Sequence, residues 1–206
     1  MNRNAIAANI PNLITLARIF AVPLLVWLVI HGSMAAAFWV FVAAGVSDAL
    51  DGFVAKRFGF VTKLGSYLDP IADKALLVSA YVTLGQAGHI SAWLVILVVF
   101  RDILIIGGTL LFHILGRPVE MQPLFISKFN TLVQILLVAV LLGNLGVGVP
   151  HFGLLPTLGL LVGVTTVLSG LAYLGQWVFG LSVGPIWRRD QNRQPAAQRG
   201  RMERGR

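Results

Sequence analysis

The chain has 206 residues, of which 57% are hydrophobic and only 12% charged, with a formal net charge of +8 and no cysteine. A soluble domain carries about 25% charged residues, so this composition points to a membrane and leaves no room for a large soluble domain. The lack of cysteine excludes disulfides, thiolate metal sites and cysteine nucleophiles, so any metal must be held by oxygen or histidine.

Apolar segments fall near 13–31, 34–56, 66–86, 91–115, 129–149 and 153–182, separated by short Gly, Pro or charged punctuation. The first is about the length of a full span and has no small-residue cleavage site behind it, which predicts a retained helix. The expected fold is therefore an all-α integral membrane protein with six transmembrane helices, occupying residues 1–187. Beyond it, RRDQNRQPAAQRGRMERGR at 188–206 is polar, Arg-rich and aperiodic, which predicts a disordered basic tail. Beside six spans such a tail reads as an orientation signal or lipid contact, and no nucleic-acid partner is expected.

Orientation follows from the basic residues. The connections near 31, at 86–89 and at 143–156 contain no Lys or Arg, whereas the opposite side carries Arg3, Lys56, Arg57, Lys63, Arg117, Lys128 and the tail. The positive-inside rule then predicts that both termini are cytoplasmic.

The segment SDALDGFVAKRFGFVTKLGSYLDPIADKA, residues 47–75, departs from this apolar background. The chain has eight acidic residues, and four of them, Asp48, Asp51, Asp69 and Asp73, lie here, at the cytoplasmic end of helix 2 and the start of helix 3. Asp48 and Asp51 are three apart and Asp69 and Asp73 four apart, so each pair shares one helix face. A short loop containing Gly59 and Gly65 lets the two faces converge. Four bare carboxylates that close would repel one another unless a cation sat among them, and hard divalent ions such as Mg²⁺ or Mn²⁺ suit oxygen ligands. Gly52 and Ala55 remove bulk beside such an ion, and Lys56, Arg57 and Lys63 supply positive charge for phosphates. The expectation is a metal and phosphate site at the membrane surface, between helices 2 and 3.

Other polar residues are read more plainly. His31, His89, His113 and His151 are scattered and are given no ligand role; Glu120 and Asp190 read as solvated charge. Asp102, beside Arg101, reads either as a buried salt-bridge partner or as a functional group.

The acidic segment resembles the signature of the CDP-alcohol phosphatidyltransferases, D-x2-D-G-x2-A-R-x8-G-x3-D-x3-D, through Asp48, Asp51, Gly52, Ala55, Lys56, Gly65, Asp69 and Asp73. One position departs: Lys56 stands where the family has arginine, and Arg57 follows it. An ammonium does not make the bidentate fork of a guanidinium, so either side chain is a candidate for the donor phosphate. The resemblance implies two divalent ions held by Asp48, Asp51 and Asp69, with Asp73 contributing to the metal site and acting as base. It implies that Gly52, Ala55, Lys56, Arg57 and Gly65 serve the donor, CDP-diacylglycerol, which passes its phosphatidyl group to an alcohol and releases CMP. It also implies a homodimer and a bacterial inner membrane; NIPNLITLAR, with Asn12 and Arg18, resembles the first helix of bacterial members that make phosphatidylglycerophosphate, a pattern shared with relatives.

For the acceptor, EMQPLFISKFNTLVQILLVA at 120–139 and FRDILIIGG at 100–108 resemble the CMP-forming cardiolipin synthases. Phosphatidylglycerophosphate synthases, by contrast, carry Gly-Lys-x-Lys-Thr at this run, with a second lysine where this chain has Asn130. A phosphodiester carries one charge and a phosphomonoester nearly two, so the resemblance places phosphatidylglycerol ahead of glycerol 3-phosphate as acceptor. Arg18, Arg101, Lys128 and Asn130 are the expected acceptor pocket. A cation or proton transporter is the alternative from another class, but it would place its aspartates near the bilayer midplane rather than beside a basic surface loop.

Overall fold

The computed structural model describes residues 3–58, 63–114, 125–150 and 153–179, and within them the side chains at 15–48, 72–111, 114, 125–150 and 153–176. Among these the chain forms six helices and no strand: α1 (Arg3–Ile30), α2 (Met34–Phe58), α3 (Lys63–Gln86), α4 (Ala92–Ile114), α5 (Phe125–Val147) and α6 (Leu154–Phe179). The expected tail at 188–206 lies outside the described residues.

Helix ends follow from local chemistry. At the end of α1, Gly32 takes a positive φ of 72° while the Ser33 N–H reaches back to the Leu28 carbonyl, closing the last turn. The Ser33 carbonyl then accepts from the Ala37 N–H as α2 begins. Gly88, with φ of 79°, and Ser91 repeat this arrangement between α3 and α4. Only a residue without a Cβ adopts such a φ without strain, so each glycine lets a long helix reverse within a few residues.

The helices close into a ring in which α1 touches α2, α2 touches α5, α5 touches α6, α6 touches α4, α4 touches α3, and α3 returns to α1. Across the middle α3 meets α5, where the Tyr81 hydroxyl donates to the Gln134 carbonyl at 3.3 Å. Leu25, Phe41, Leu77, Tyr81, Leu84, Val98, Val138, Leu142 and Val162 fill the interior.

The outside is as apolar as the inside. Phe20, Trp27, Trp39, Trp93, Phe100, Ile103, Leu160 and Leu171 are exposed, while Arg101, Asp102, Asn130, Gln134, Thr165, Thr166 and Ser169 are buried. Such an arrangement suits a hydrocarbon solvent, in which polar groups must be satisfied internally. Three stretches among the described residues, Ala92–Leu111, Phe125–Val147 and Leu154–Gln176, are long and apolar enough to cross a membrane, with shorter apolar stretches at Thr15–Ile30 and Met34–Asp48. The chain is thus a membrane-associated helical protein.

Two starts differ from expectation. α1 begins at Arg3 rather than near 13, running through Pro11, and α5 begins at Phe125 rather than near 129. Hydropathy hides the start of α5 because its first turn carries Ser127, whose hydroxyl is taken by Arg101.

Backbones approach most closely where α5 meets the start of α2. A Cβ added at Gly146 would lie 2.5 Å from the Ala35 nitrogen, a backbone atom that cannot swing away, whereas a Cβ at Gly107 would meet nothing within 4 Å. Gly146→Ala is expected to destabilise the protein by about 1–3 kcal/mol, as overpacking does. Gly107→Ala is expected to be neutral or stabilising, because alanine favours a helix over glycine by about 1 kcal/mol. Thermal midpoints of the two variants in one detergent test the contrast, and equal midpoints would contradict this packing.

Candidate functional site

The described part of the acidic segment is built on α1, α2 and α3. Arg18 comes from α1 and is buried, and its Nη1 lies 2.9 Å from Asp48 Oδ1 on α2 and 2.6 Å from Asp73 Oδ1 on α3. One guanidinium nitrogen therefore joins three helices and offsets two like charges that would otherwise repel. Only 2% of the Arg18 side chain is exposed, against 45% for Asp48 and 43% for Asp73. The cation is walled in while the carboxylates open outward.

They open onto a cavity of about 270 Å³. Its polar lining is Arg18, Asp48, Asp73, Lys74 and Thr131, and its apolar lining includes Phe41, Ala44, Leu76, Leu77 and Ile135. An amphipathic ligand with an anionic head and hydrocarbon tails matches both halves.

Asp51, Gly52, Ala55, Lys56, Arg57, Gly65 and Asp69 fall outside the residues whose side chains are described. Among the described residues, no three His, Cys, Asp or Glu side chains come together as a metal site. The two described members, Asp48 and Asp73, are acceptor-only oxygen donors from two helices that both pack on α1, open to one cavity, and so have the donor chemistry that a hard divalent ion takes.

Of the four residues expected around the acceptor, the structure brings only Arg18 to this cavity. Arg101 is buried beside Asp102, with Nη1 at 2.8 Å from Asp102 Oδ1 and Nη2 at 2.5 Å from Ser127 Oγ and 2.6 Å from Ser169 Oγ. The salt-bridge reading of Asp102 is the one the structure shows. Asn130 is fully buried, its Oδ1 accepting from the hydroxyls of Thr165 at 2.7 Å and Thr166 at 3.0 Å, so it serves the α5–α6 contact. Lys128 is exposed at the start of α5. The physical reason is helix phase: residues 128 and 130 lie about 200° apart around α5 and cannot share a face. Lys74 and Thr131 were not singled out in the sequence, yet both line the cavity. The available signal for Lys74 was its place directly after Asp73.

Comparison with known proteins agrees with the geometry. The family described as CDP-alcohol phosphatidyltransferase matches residues 8–181. The CDP-diacylglycerol--glycerol-3-phosphate 3-phosphatidyltransferase 1, chloroplastic, of Oryza sativa subsp. japonica is 34% identical over 80% of this chain and 56% of its own length. The cardiolipin synthase (CMP-forming) of Homo sapiens is 35% identical over 64% of this chain and 49% of its own length. The CDP-diacylglycerol--glycerol-3-phosphate 3-phosphatidyltransferase of Shigella flexneri is 34% identical over 81% of this chain and 93% of its own length. The chain thus spans about half the length of the rice and human relatives and nearly all of the bacterial one.

The placement of Asn130 makes its replacement a matter of stability. Asn130→Ala strips Thr165 and Thr166 of an acceptor and is expected to cost about 1–3 kcal/mol. Asn130→Lys should lower the thermal midpoint further, because it would bury an ammonium against two hydroxyls. A lysine variant as stable as the parent would show that position 130 opens to solvent.

Proposed function

Because this chain belongs to the CDP-alcohol phosphatidyltransferase family, we propose that it transfers a phosphatidyl group from CDP-diacylglycerol to an alcohol acceptor and releases CMP. The observation that carries this is the joining of Asp48 and Asp73 by Arg18 on the rim of a cavity whose floor is apolar. The proposed setting is a six-span homodimer in a bacterial inner membrane, with residues 1–187 as the membrane domain, a basic tail at 188–206 and both termini cytoplasmic.

In this scheme Asp48, Asp51 and Asp69, with a contribution from Asp73, hold two divalent ions, Mg²⁺ or Mn²⁺. When bound, these would neutralise charge on the pyrophosphate and on the departing CMP. Gly52, Ala55 and Gly65, the last lying within α3 rather than in the expected loop, leave room for the donor's cytidine, and Lys56 or Arg57 meets a donor phosphate. Asp73 takes the proton of the acceptor hydroxyl as its oxygen attacks the phosphatidyl phosphorus. Arg18 donates to one oxygen of Asp73 and so fixes the orientation in which the carboxylate faces the cavity.

Phosphatidylglycerol is the proposed acceptor, giving cardiolipin. Among the described residues lining the cavity the cations are Arg18, already joined to two carboxylates, and Lys74. Lys74 shares its carboxylate partner, Asp102, with Arg101, and one such ammonium suits the single charge of a phosphodiester better than the near-dianion of a phosphomonoester. Relatives named for glycerol 3-phosphate match this chain as closely as those named cardiolipin synthase, which keeps a phosphatidylglycerophosphate synthase as the second reading.

Purified protein in mixed micelles with CDP-diacylglycerol and Mg²⁺, offered phosphatidylglycerol or glycerol 3-phosphate separately, should release CMP with the first acceptor and lose activity on chelation. Asp48→Asn and Asp69→Asn should each cut turnover by orders of magnitude in protein that still folds. Product from glycerol 3-phosphate alone would establish the second reading. No CMP release with any alcohol would reject the transferase.

A further inference from the structure

Directly behind Asp73 the structure holds a second charged group that the family signature does not use. Lys74 lines the same cavity with about 30% of its side chain exposed, and its Nζ lies 2.5 Å from Asp102 Oδ1 on α4. That same oxygen accepts from Arg101 Nη1, and Arg101 is tied to Ser127 on α5 and Ser169 on α6. Arg101 and Asp102 are each 3% exposed. Two cations thus share one buried carboxylate, the reverse of the two carboxylates that share Arg18, and Lys74 is the cation of this group that opens to the cavity. An ammonium has three N–H donors, so the one given to Asp102 leaves others for a ligand.

We propose that Lys74 binds the phosphate of the acceptor, a glyceryl phosphate group, and that Asp102, braced by Arg101, is the positioning residue that aims it. This rests on the transferase reading above. Lys74 and Asp73 are consecutive, with Cα atoms about 3.8 Å apart. A three-carbon glycerol separates the hydroxyl of the acceptor from its phosphate, a span that lets Asp73 meet the one while Lys74 meets the other. The donor phosphates fall to the proposed metal ligands and to Lys56 or Arg57 at the end of α2. A bare helix-to-helix staple between α3 and α4 would account for the Lys74–Asp102 pair but not for the opening of the ammonium side chain to the cavity beside Asp73.

The test varies acceptor at saturating donor, and donor at saturating acceptor, for the full chain with CDP-diacylglycerol and Mg²⁺. Lys74→Met removes the ammonium and leaves Asp102 paired with Arg101. It should raise the acceptor KM by about ten-fold or more, the usual loss for a hydrogen bond to a charged group, with the donor KM unchanged. Lys74→Arg should recover most of the loss. Asp102→Asn should shift the acceptor KM in the same direction, and the Lys74→Met/Asp102→Asn double variant should be no worse than Lys74→Met, because Asp102 acts through Lys74. Separate arms with phosphatidylglycerol and glycerol 3-phosphate show whether the phosphate belongs to a lipid headgroup or a free ester. An unchanged acceptor KM in Lys74→Met, or effects of the two substitutions that multiply, would overturn the proposal. Should Asp102→Asn fail to fold, the Lys74→Met and Lys74→Arg pair decides alone. Wild-type protein that releases no CMP with either acceptor would instead reject the transferase reading beneath it.

Discussion

A charge held among apolar helices must meet an opposite charge or fixed dipoles, since isolated burial costs far more than a fold can spare. This bundle meets that requirement through two consecutive residues of α3. Asp73 turns to Arg18 on α1, and Lys74 turns to Asp102 on α4. One step along a helix is a rotation of about 100°, so neighbours in sequence reach helices on different sides. The two ion pairs therefore fix α3 against both of its partners in the ring. They do so at the end where the cavity opens, so the same contacts that place the helix also place the carboxylate.

The second half of the ring is held differently. Ser127, Asn130 and Gln134 lie at intervals of three and four on α5, the spacing of one helix face. They meet Ser169, Thr165 and Thr166 of α6, through Arg101 in the case of the two serines. Interhelical hydrogen bonds in a membrane average only about 0.6 kcal/mol each. Their effect here is directional: they set the rotation of α5 against α6, and with it the wall against which Arg101 is pinned. The guanidinium then has one geometry in which its Ser127, Ser169 and Asp102 contacts are all made. A flexible interface would let Asp102 drift and Lys74 with it.

Much of this was legible from residue order. The six helices fall where apolar runs end in Gly, Pro or charge, and the boundaries differ mainly at Arg3 and Phe125, where polar first turns conceal helix. Spacing and a short connection lead one to expect α2 beside α3, yet among the described residues the two helices do not touch: α1 contacts both, and its Arg18 is what brings Asp48 and Asp73 together. What residue order did not convey was which cation meets which carboxylate. Arg101, Lys128 and Asn130 all sit at span ends, yet one is braced by Asp102, one is exposed and one is buried in hydroxyls. Those outcomes depend on which helices adjoin, and the ring order α1, α2, α5, α6, α4, α3 is not the order of the chain. Lys74 escaped notice for the same reason: its partner lies on α4, and beside three aspartates it reads as mere charge balance.

The separation of donor chemistry from acceptor chemistry explains why relatives with different named acceptors match this chain equally well. In the proposed scheme the aspartates and small residues of 48–69 serve the phosphates and nucleotide of the donor, which every such transferase would handle, so they carry no information about the alcohol. Selectivity must then come from groups that reach the cavity from other helices or from the far side of α3. Charge count is the simplest discriminator available there, because a phosphomonoester and a phosphodiester differ by nearly one unit in a partly desolvated site where that unit weighs heavily. Arg18 is outnumbered by the two carboxylates it organises, and Arg101 is turned away by its serines. Among the described residues that leaves Lys74 as the cation best placed to meet the phosphate of an acceptor, and its one positive charge is the quantity on which the proposed preference for a phosphodiester turns.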